Sequence, residues 1–211
     1  MWYKSGVSST SLLSFLAASV GLTLAPGPDN LFVIAQGISR GRRAALVTAW
    51  GMCSGITVHT LLAAAGISAI FYSSPMAFHA VKYAGAAYLL YLGWRALGPA
   101  GPGTAAGDHG NGPALGHFRR GFLMNVLNPK VALFFLAFLP QFVDRAAGRV
   151  GEQMVMLGLL FMGQALLLFS AIAWFSGGIA ERLSRDPRWP KYLSWLAAAI
   201  LAVLAVRLAL G

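Results

Sequence analysis

The chain has 211 residues, of which 57% are hydrophobic and only 10% are charged. Soluble domains are about 45–50% apolar and about 25% charged, so this composition excludes a soluble globular protein as well as a disordered chain. A single cysteine excludes a disulfide scaffold. The net charge of +10 comes from short clusters of Lys and Arg between apolar stretches, as in a multi-pass membrane protein. Nucleic-acid binding is not expected, because no basic stripe carries interleaved aromatic residues.

Six apolar stretches in chain order predict an all-α membrane protein with six transmembrane helices. A straight span needs about 20 residues, so the third stretch, with only 17, must stand nearly upright. The first, second and fifth stretches are longer, and we expect them to tilt or break. The six stretches are residues 12–38, 44–71, 81–97, 121–142, 153–179 and 192–210.

Residues 98–117 are rich in Gly, Pro and Ala and predict a flexible linker on the cytoplasmic side. This linker divides the chain into one transmembrane repeat over residues 1–97 and a second over residues 118–211. Each repeat has three spans, and three is odd, so the second repeat must cross the bilayer in the opposite sense. This arrangement is the inverted-repeat architecture of many secondary transporters. His79, His109 and His117 are expected in solvated loops.

The distribution of Lys and Arg predicts that both termini lie outside and that the odd-numbered loops lie in the cytoplasm. Five positive charges fall on the outer side, among them Lys82 near the start of the third span. The first span is expected to be uncleaved, because cleavage after Ala25 would leave Pro26 directly behind the cut. The ten charges on the cytoplasmic side are Arg40, Arg42, Arg43, Arg95, Arg119, Arg120, Arg182, Arg185, Arg188 and Lys191.

Proline interrupts the first span of each half at corresponding positions. A shift of 101 residues places Pro28 on Pro129 and Asp29 on Lys130. Proline removes a backbone donor, and the groups that a break frees cannot face lipid, so they must line a buried cavity or bind a ligand. Two such breaks in corresponding positions point to a substrate site near the bilayer midplane. A simple kink remains an alternative interpretation, and for Pro129 taken alone it is as good.

These breaks and their surroundings resemble the signature of the LysE/RhtB superfamily of amino-acid exporters. The resemblance covers nearly the whole chain except residues 98–117, and Ala45 stands where that family often has glycine. It implies six spans and efflux of amino acids or related small molecules, driven by the proton-motive force across the bacterial inner membrane. The residues that carry it are Pro26 to Asn30, Val33, Gly37, Gly41, Gly51, Gly55, Val58 to Leu62, Lys82 to Leu89, Phe118 to Phe122, Asn125 and Asn128 to Lys130.

Asp29 and Lys130 are the charges most firmly placed inside spans. A charged group at the bilayer centre costs at least about 2.5–3.5 kcal/mol, so each needs a partner, water or a function. They are candidates to pair, either as a structural ion pair or as contacts for the ammonium and the carboxylate of a zwitterion. Burial disfavours the charged form of a carboxyl group, which makes Asp29 the first candidate to carry protons. His59 in the second span is the other candidate, although a structural histidine is an equal alternative.

The substrate site is therefore expected to include both breaks and the amides beside them. Gly51 and Gly55 form a small-xxx-small pattern that indicates helix packing and is compatible with a homodimer. The expected site residues are Pro26, Gly27, Pro28, Asp29, Asn30, Asn125, Asn128, Pro129 and Lys130.

A proton-coupled exporter of amino acids or related zwitterions is the function that these observations favour. The alternative is a metal-ion efflux carrier, but only Asp29 and His59 offer metal-binding groups in the spans. The sequence contains no His-Glu-x-x-His motif and no serine paired with a base, so an enzyme is not expected. No resident metal or other cofactor is expected, and the partners are the substrate, protons and the lipid bilayer.

Overall fold

The computed structural model describes residues 9–67, 75–97, 113–185 and 188–210, and these residues are helical apart from short connections. π-helical turns follow α3 at Ala63–Ile67 and α6 at Phe134–Phe138, and a 3-10 turn, Leu139–Phe142, follows the latter. The α-helices of the described residues are α1 (Ser9–Leu24), α2 (Pro28–Arg40), α3 (Arg42–Leu62), α4 (Pro75–Leu97), α5 (Ala114–Val126), α6 (Pro129–Leu133), α7 (Val150–Arg185) and α8 (Arg188–Leu210).

The described residues contain three to five candidate membrane spans. Three unbroken segments are long and apolar enough to cross a bilayer, namely Arg42–Gly66, Val150–Gly178 and Lys191–Leu210. Two further candidates are bent pairs: α1 and α2 meet at 54°, and α5 meets the segment Pro129–Phe142 at 47°. The protein is therefore a polytopic membrane protein, and the two bends lie where the sequence predicts proline breaks.

Helix α4 corrects the prediction for the third apolar stretch. It has 23 residues rather than 17, because it begins at Pro75, where proline is tolerated in the first helical turn. Its length of about 34 Å at 1.5 Å per residue removes the need for an upright helix. Helix α4 is not among the three unbroken candidate spans.

Helices at equivalent positions in the two halves of the chain pack against each other. Helix α3 contacts α7, and α4 contacts α8, while α3 also packs along α5 and α2 packs along α7. The second helix of each bent pair begins with its proline, Pro28 or Pro129, at its first turn. The two bent pairs therefore match at the 101-residue spacing that the sequence shows.

Glycines allow α3 and α5 to approach at backbone distance. A Cβ atom on Gly51 would overlap the carbonyl group of Phe118, and one on Gly121 would overlap that of Thr48. A Cβ atom on Gly55 would lie 2.9 Å from the side chain of Asn125. The small-xxx-small pattern thus serves helix packing, as the sequence predicts.

Beyond the second break, a cluster of phenylalanines fills the core. The rings of Phe134 and Phe138 stack at 5.0 Å, and Phe135 and Phe161 meet edge to face at 5.2 Å. Phe134, Phe135 and Phe138 are fully or almost fully buried. This cluster directly follows α6 in the chain and closes the core beside the break.

Two predictions for loops are wrong. Helix α5 begins at Ala114, so His117 is helical and buried rather than in a solvated loop. His79 also lies in a helix, α4, although it is exposed. Residues 98–112, including His109 and most of the predicted linker, lie outside the described residues.

Lys82 is a buried charge that sequence reasoning assigned to the outer side of the protein. It lies two turns into α4, is 7% exposed, and its ammonium group lies 5.7 Å from the centre of the Tyr83 ring. The earlier start of α4 places this position inside the helix rather than at the end of a span.

Candidate functional site

A buried ion pair joins the two helix breaks. Lys130 Nζ lies 2.8 Å from Asp29 Oδ2, and the two side chains are only 6% and 4% exposed. The pairing that the 101-residue spacing suggested is therefore present. Because each charge compensates the other, the cost of burying them is reduced.

The first break supplies acceptors that surround this pair. Helix α1 ends at Leu24 and α2 begins at Pro28, with Gly27 in an extended conformation between them. The carbonyl oxygen of Ala25 accepts hydrogen bonds from Lys130 Nζ at 3.2 Å and from Asn30 Nδ2 at 3.2 Å. Asn30 Nδ2 also donates to the carbonyl of Thr23 at 3.1 Å. Backbone groups that the break frees are thus satisfied inside the protein, as a membrane interior requires.

The second break orients both charges through Asn128. This residue caps α6, because its Oδ1 accepts a hydrogen bond from the backbone N–H of Lys130 at 3.0 Å. Its Nδ2 donates to Asp29 Oδ2 at 3.5 Å. On the other side, Asp29 Oδ1 accepts from the backbone N–H of Asn30 at 3.0 Å. Asp29 is therefore held between three donors, only one of which is charged.

Gly27 is the point at which the backbone comes closest to the pair. A Cβ atom at this position would lie 2.6 Å from Asp29 Oδ1 and 3.1 Å from Lys130 Nζ. The backbone of Gly27 has φ −155° and ψ −178°, which other residues adopt freely. Glycine is therefore required here for space rather than for conformation.

His59 lies beside the second break and contacts Asn125. Its Nε2 is 3.0 Å from the backbone carbonyl oxygen of Asn125, and the imidazole is buried against Phe135. A carbonyl oxygen can only accept, so Nε2 carries the hydrogen, and any proton that His59 exchanges is carried on Nδ1. His59 is thus positioned for either the structural or the proton-carrying role.

Two buried amide oxygens in this region are without hydrogen-bond partners among the residues that the structure describes. They are Asn30 Oδ1 and Asn125 Oδ1, and both residues are at most 7% exposed. Buried polar atoms are usually paired, so Asn30 Oδ1, next to Asp29 in the chain, is a candidate acceptor for a ligand or water, whereas Asn125 Oδ1 packs against Gly55 of α3. An ammonium group, with three donors, matches such acceptors.

The predicted site residues do not all contribute in the same way. The structure brings together Asp29, Lys130, Asn30, Asn128 and Gly27 around the ion pair, with Asn125 and His59 beside them. By contrast, the side chains of Pro28 and Pro129 are exposed and that of Pro26 is half-buried. These prolines therefore shape the breaks and make no polar contact with the pair. Sequence reasoning missed the carbonyls of Thr23 and Ala25, because backbone acceptors leave no residue-type signal.

No group of three or more His, Cys, Asp or Glu side chains that could hold a metal ion occurs in the described ranges. Asp29 uses its carboxylate for Lys130, and His59 faces a carbonyl oxygen. The arrangement of these residues gives no support to the alternative of metal-ion efflux.

Comparisons with known proteins identify relatives of this chain. The family model described as LysE type translocator matches residues 20–211. A leucine efflux protein from Enterobacter sp. (strain 638) is 33% identical over 171 residues, which cover 75% of this chain and 80% of the relative. An uncharacterized membrane protein from Pseudomonas aeruginosa is 33% identical over 181 residues, 79% of this chain and 83% of the relative. A leucine efflux protein from Salmonella typhimurium is 33% identical over 145 residues, 65% of this chain and 66% of the relative. No solved structure matches the chain.

Proposed function

The chain belongs to the LysE type translocator family, and on that premise we propose that it exports a neutral amino acid, with leucine as the first candidate, in exchange for protons. The family consists of transporters, so the chain is a membrane translocator and not an enzyme. We place it in the bacterial cytoplasmic membrane. Two of the similar proteins are leucine efflux proteins, which supports the choice of substrate.

The observation that carries the proposal is the buried pair of opposite charges at the two breaks. Asp29 and Lys130 together are formally neutral, as is a zwitterionic amino acid. The substrate would insert between them, with its ammonium group on Asp29 and its carboxylate on Lys130. Asn30 Oδ1, an unpaired acceptor on the residue after Asp29, would complete the shell of the ammonium group. Without substrate, the two side chains satisfy each other.

This exchange of partners explains how export can be coupled to protons. Facing the cytoplasm, ionised Asp29 binds the ammonium group. Facing outward, Asp29 takes up a proton, which weakens that contact and releases the substrate. Because the coupling is reciprocal, inward proton flow then drives outward export. The buried ring of His59, with Nε2 committed to Asn125, is the second candidate to carry this proton.

We further propose that the chain forms six spans in two inverted repeats of three. Three unbroken segments, the two bent pairs and α4 make up the six. Support comes from the matching positions of the two bends and from the contacts between equivalent helices, α3 with α7 and α4 with α8. The proposal places both termini outside and residues 98–117 in the cytoplasm. This orientation puts ten of the positive charges on the cytoplasmic side, as the positive-inside rule expects.

Labelling tests this topology. A reporter fused after Gly211 should be active on the outer side, because six spans return the chain to the side where it began. Single cysteines introduced into residues 98–117 should react with a membrane-impermeant maleimide only in inverted vesicles. A reporter active in the cytoplasm would contradict the inverted three-plus-three arrangement.

Substrate efflux is tested in inverted vesicles, whose outer face is the cytoplasmic one. With an acidic lumen, vesicles containing the protein should accumulate labelled leucine, and a protonophore should abolish the accumulation. A panel of labelled amino acids added in the same assay identifies the substrate. If leucine and other neutral amino acids are not accumulated while a cationic one is, the choice of a neutral zwitterion is wrong.

A further inference from the structure

A cavity of about 560 Å³ opens between α2, the start of α3 and α7, away from the ion pair. Its size lies within the range of small-molecule sites, about 300–1,000 Å³. Its lining residue on α2 is Gly37, which lies eight residues after Asp29, or about 12 Å along the helix at 1.5 Å per residue. The residues that line it are Gly37, Arg42, Trp174, Phe175, Ser176, Gly177 and Gly178.

Arg42 is the charged group of this cavity; it is exposed and lies over the ring of Trp174, which is about half-exposed. The guanidinium carbon of Arg42 lies 4.3 Å from the centre of the Trp174 ring, within the range of a cation–π contact. No carboxylate of the described residues forms a salt bridge with Arg42. The contact with Trp174 is made by the guanidinium carbon and uses none of the N–H donors as a hydrogen bond, so these donors can bind an oxyanion.

Small residues shape the remaining wall. Gly37 lets α2 approach α7 so closely that a Cβ atom there would overlap the hydroxyl group of Ser176. That hydroxyl is buried and donates to the carbonyl oxygen of Ala173 at 2.9 Å. Gly177 and Gly178 face open space, since a Cβ atom at either position would meet no atom within 4 Å. The cavity is therefore bounded by the tight contact of Gly37 with Ser176. It stays open at Gly177 and Gly178, because glycine has no side chain to fill it.

We propose that this cavity is a second binding site, which captures the carboxylate of the substrate through Arg42 before the substrate reaches the ion pair. The side from which the substrate arrives rests on the proposed function, because Arg42 belongs to the charge cluster that places this end in the cytoplasm. The recognition itself rests on the chemistry of the cavity. A cation that lies over an aromatic ring and has no acidic partner among the described residues suits a carboxylate, and the half-exposed side chains of Trp174 and Phe175 offer an apolar surface to an aliphatic side chain.

Trp174 provides a direct readout of occupancy. The protein is placed in nanodiscs of neutral lipid, and its emission is compared with that of a Trp174→Phe variant, so that the difference reports on this ring. Leucine and 4-methylpentanoate, which lacks the ammonium group, should change the difference signal, whereas leucinamide, which lacks the carboxylate, should not. Arg42→Gln should raise the half-saturating concentration at least about tenfold, as expected for losing a charge-assisted hydrogen bond.

Matched variants separate the cavity from general effects. Arg43→Gln removes the same charge from the adjacent residue, which is exposed like Arg42 but does not line the cavity, and it should leave the titration unchanged. Gly178→Leu should fill the cavity and abolish the response. Gly163→Leu places the same side chain in open space elsewhere on α7 and should not affect it.

Three outcomes would overturn the proposal. The first is an unchanged Trp174 signal when carboxylates are added, and the second is weakening of binding by Arg43→Gln to the same extent as by Arg42→Gln. The third is that phosphatidylglycerol in the nanodisc itself changes the signal and displaces 4-methylpentanoate, which would assign the cavity to a lipid phosphate. All of these measurements report binding and do not require that the protein transports a substrate. If the wild-type protein transports no amino acid but the carboxylates still bind, the proposed function fails and the second site stands.

Discussion

Asp29→Asn is expected to abolish gradient-driven accumulation of substrate in inverted vesicles. The substitution keeps the shape of the side chain but removes its charge and its ability to bind and release a proton, so it mimics the permanently neutral, protonated form. It also leaves Lys130 buried without its counter-ion, a loss that costs about 3–5 kcal/mol for a typical buried pair. Accumulation should therefore fall by at least about a hundredfold, while slow exchange of labelled for unlabelled leucine, which needs no proton, persists.

The double variant Asp29→Asn with Lys130→Met distinguishes proton coupling from a structural ion pair. It removes both charges, so no unpaired charge remains buried in the core. If it recovers the gradient-driven export that the single variant lost, Asp29 is only a counter-ion and another group carries the proton. His59→Gln would then be the next variant, with the same comparison of accumulation and exchange. Elution of every variant as a single species in detergent provides the control for folding.

Gly27→Ala is expected to impair export although it adds only one methyl group. The extended backbone of Gly27 suits alanine, so the effect comes from the new Cβ atom, 2.6 Å from Asp29 Oδ1 and 3.1 Å from Lys130 Nζ. Overpacking of this kind costs about 1–3 kcal/mol, and we expect export at low substrate concentration to fall about tenfold. Initial rates at several leucine concentrations measure the change.

Two comparisons show whether Gly27→Ala acts through the ion pair. Gly163→Ala, in open space on α7, should export as well as the wild type does. Gly27→Val, whose larger side chain meets the same two groups, should reduce export more than Gly27→Ala does. Wild-type export by Gly27→Ala, or an equal loss in both Gly27 variants, would show that the close approach of Gly27 to the pair is unimportant.

Sequence alone predicted the features that depend on local chemistry. The two bends follow from Pro28 and Pro129, because proline lacks a backbone donor wherever it lies in a helix. The ion pair follows from the equal spacing of Asp29 and Lys130 behind these prolines, since an unpaired charge is costly inside a membrane. Helix packing through Gly51 and Gly55 was likewise evident from their spacing.

Helix boundaries were predicted less well, because hydropathy marks apolar residues and not the first turn of a helix. Helix α4 begins at Pro75, six residues before its apolar stretch, which buries Lys82 inside a helix. Helix α5 begins at Ala114, directly after Pro113, and so includes His117. Pro75 lies in the first helical turn, where proline is favoured, and Pro113 is the N-cap residue of α5, so in both places proline marks a helix start that a search for apolar residues overlooks.

Contacts between distant parts of the chain were decided by tertiary structure alone. The bond from Lys130 to the carbonyl of Ala25 spans 105 residues, and that from His59 to the carbonyl of Asn125 spans 66. Every residue has a backbone carbonyl, so the residue type does not predict which carbonyl will accept such a hydrogen bond. Arg42 and Trp174 were unremarkable in sequence, and only the packing of α2 and α3 against α7 places one over the other beside a cavity. The residue types in the sequence thus determine where the helices are interrupted and where the charges lie along the chain. The packing of the helices determines which groups those charges contact.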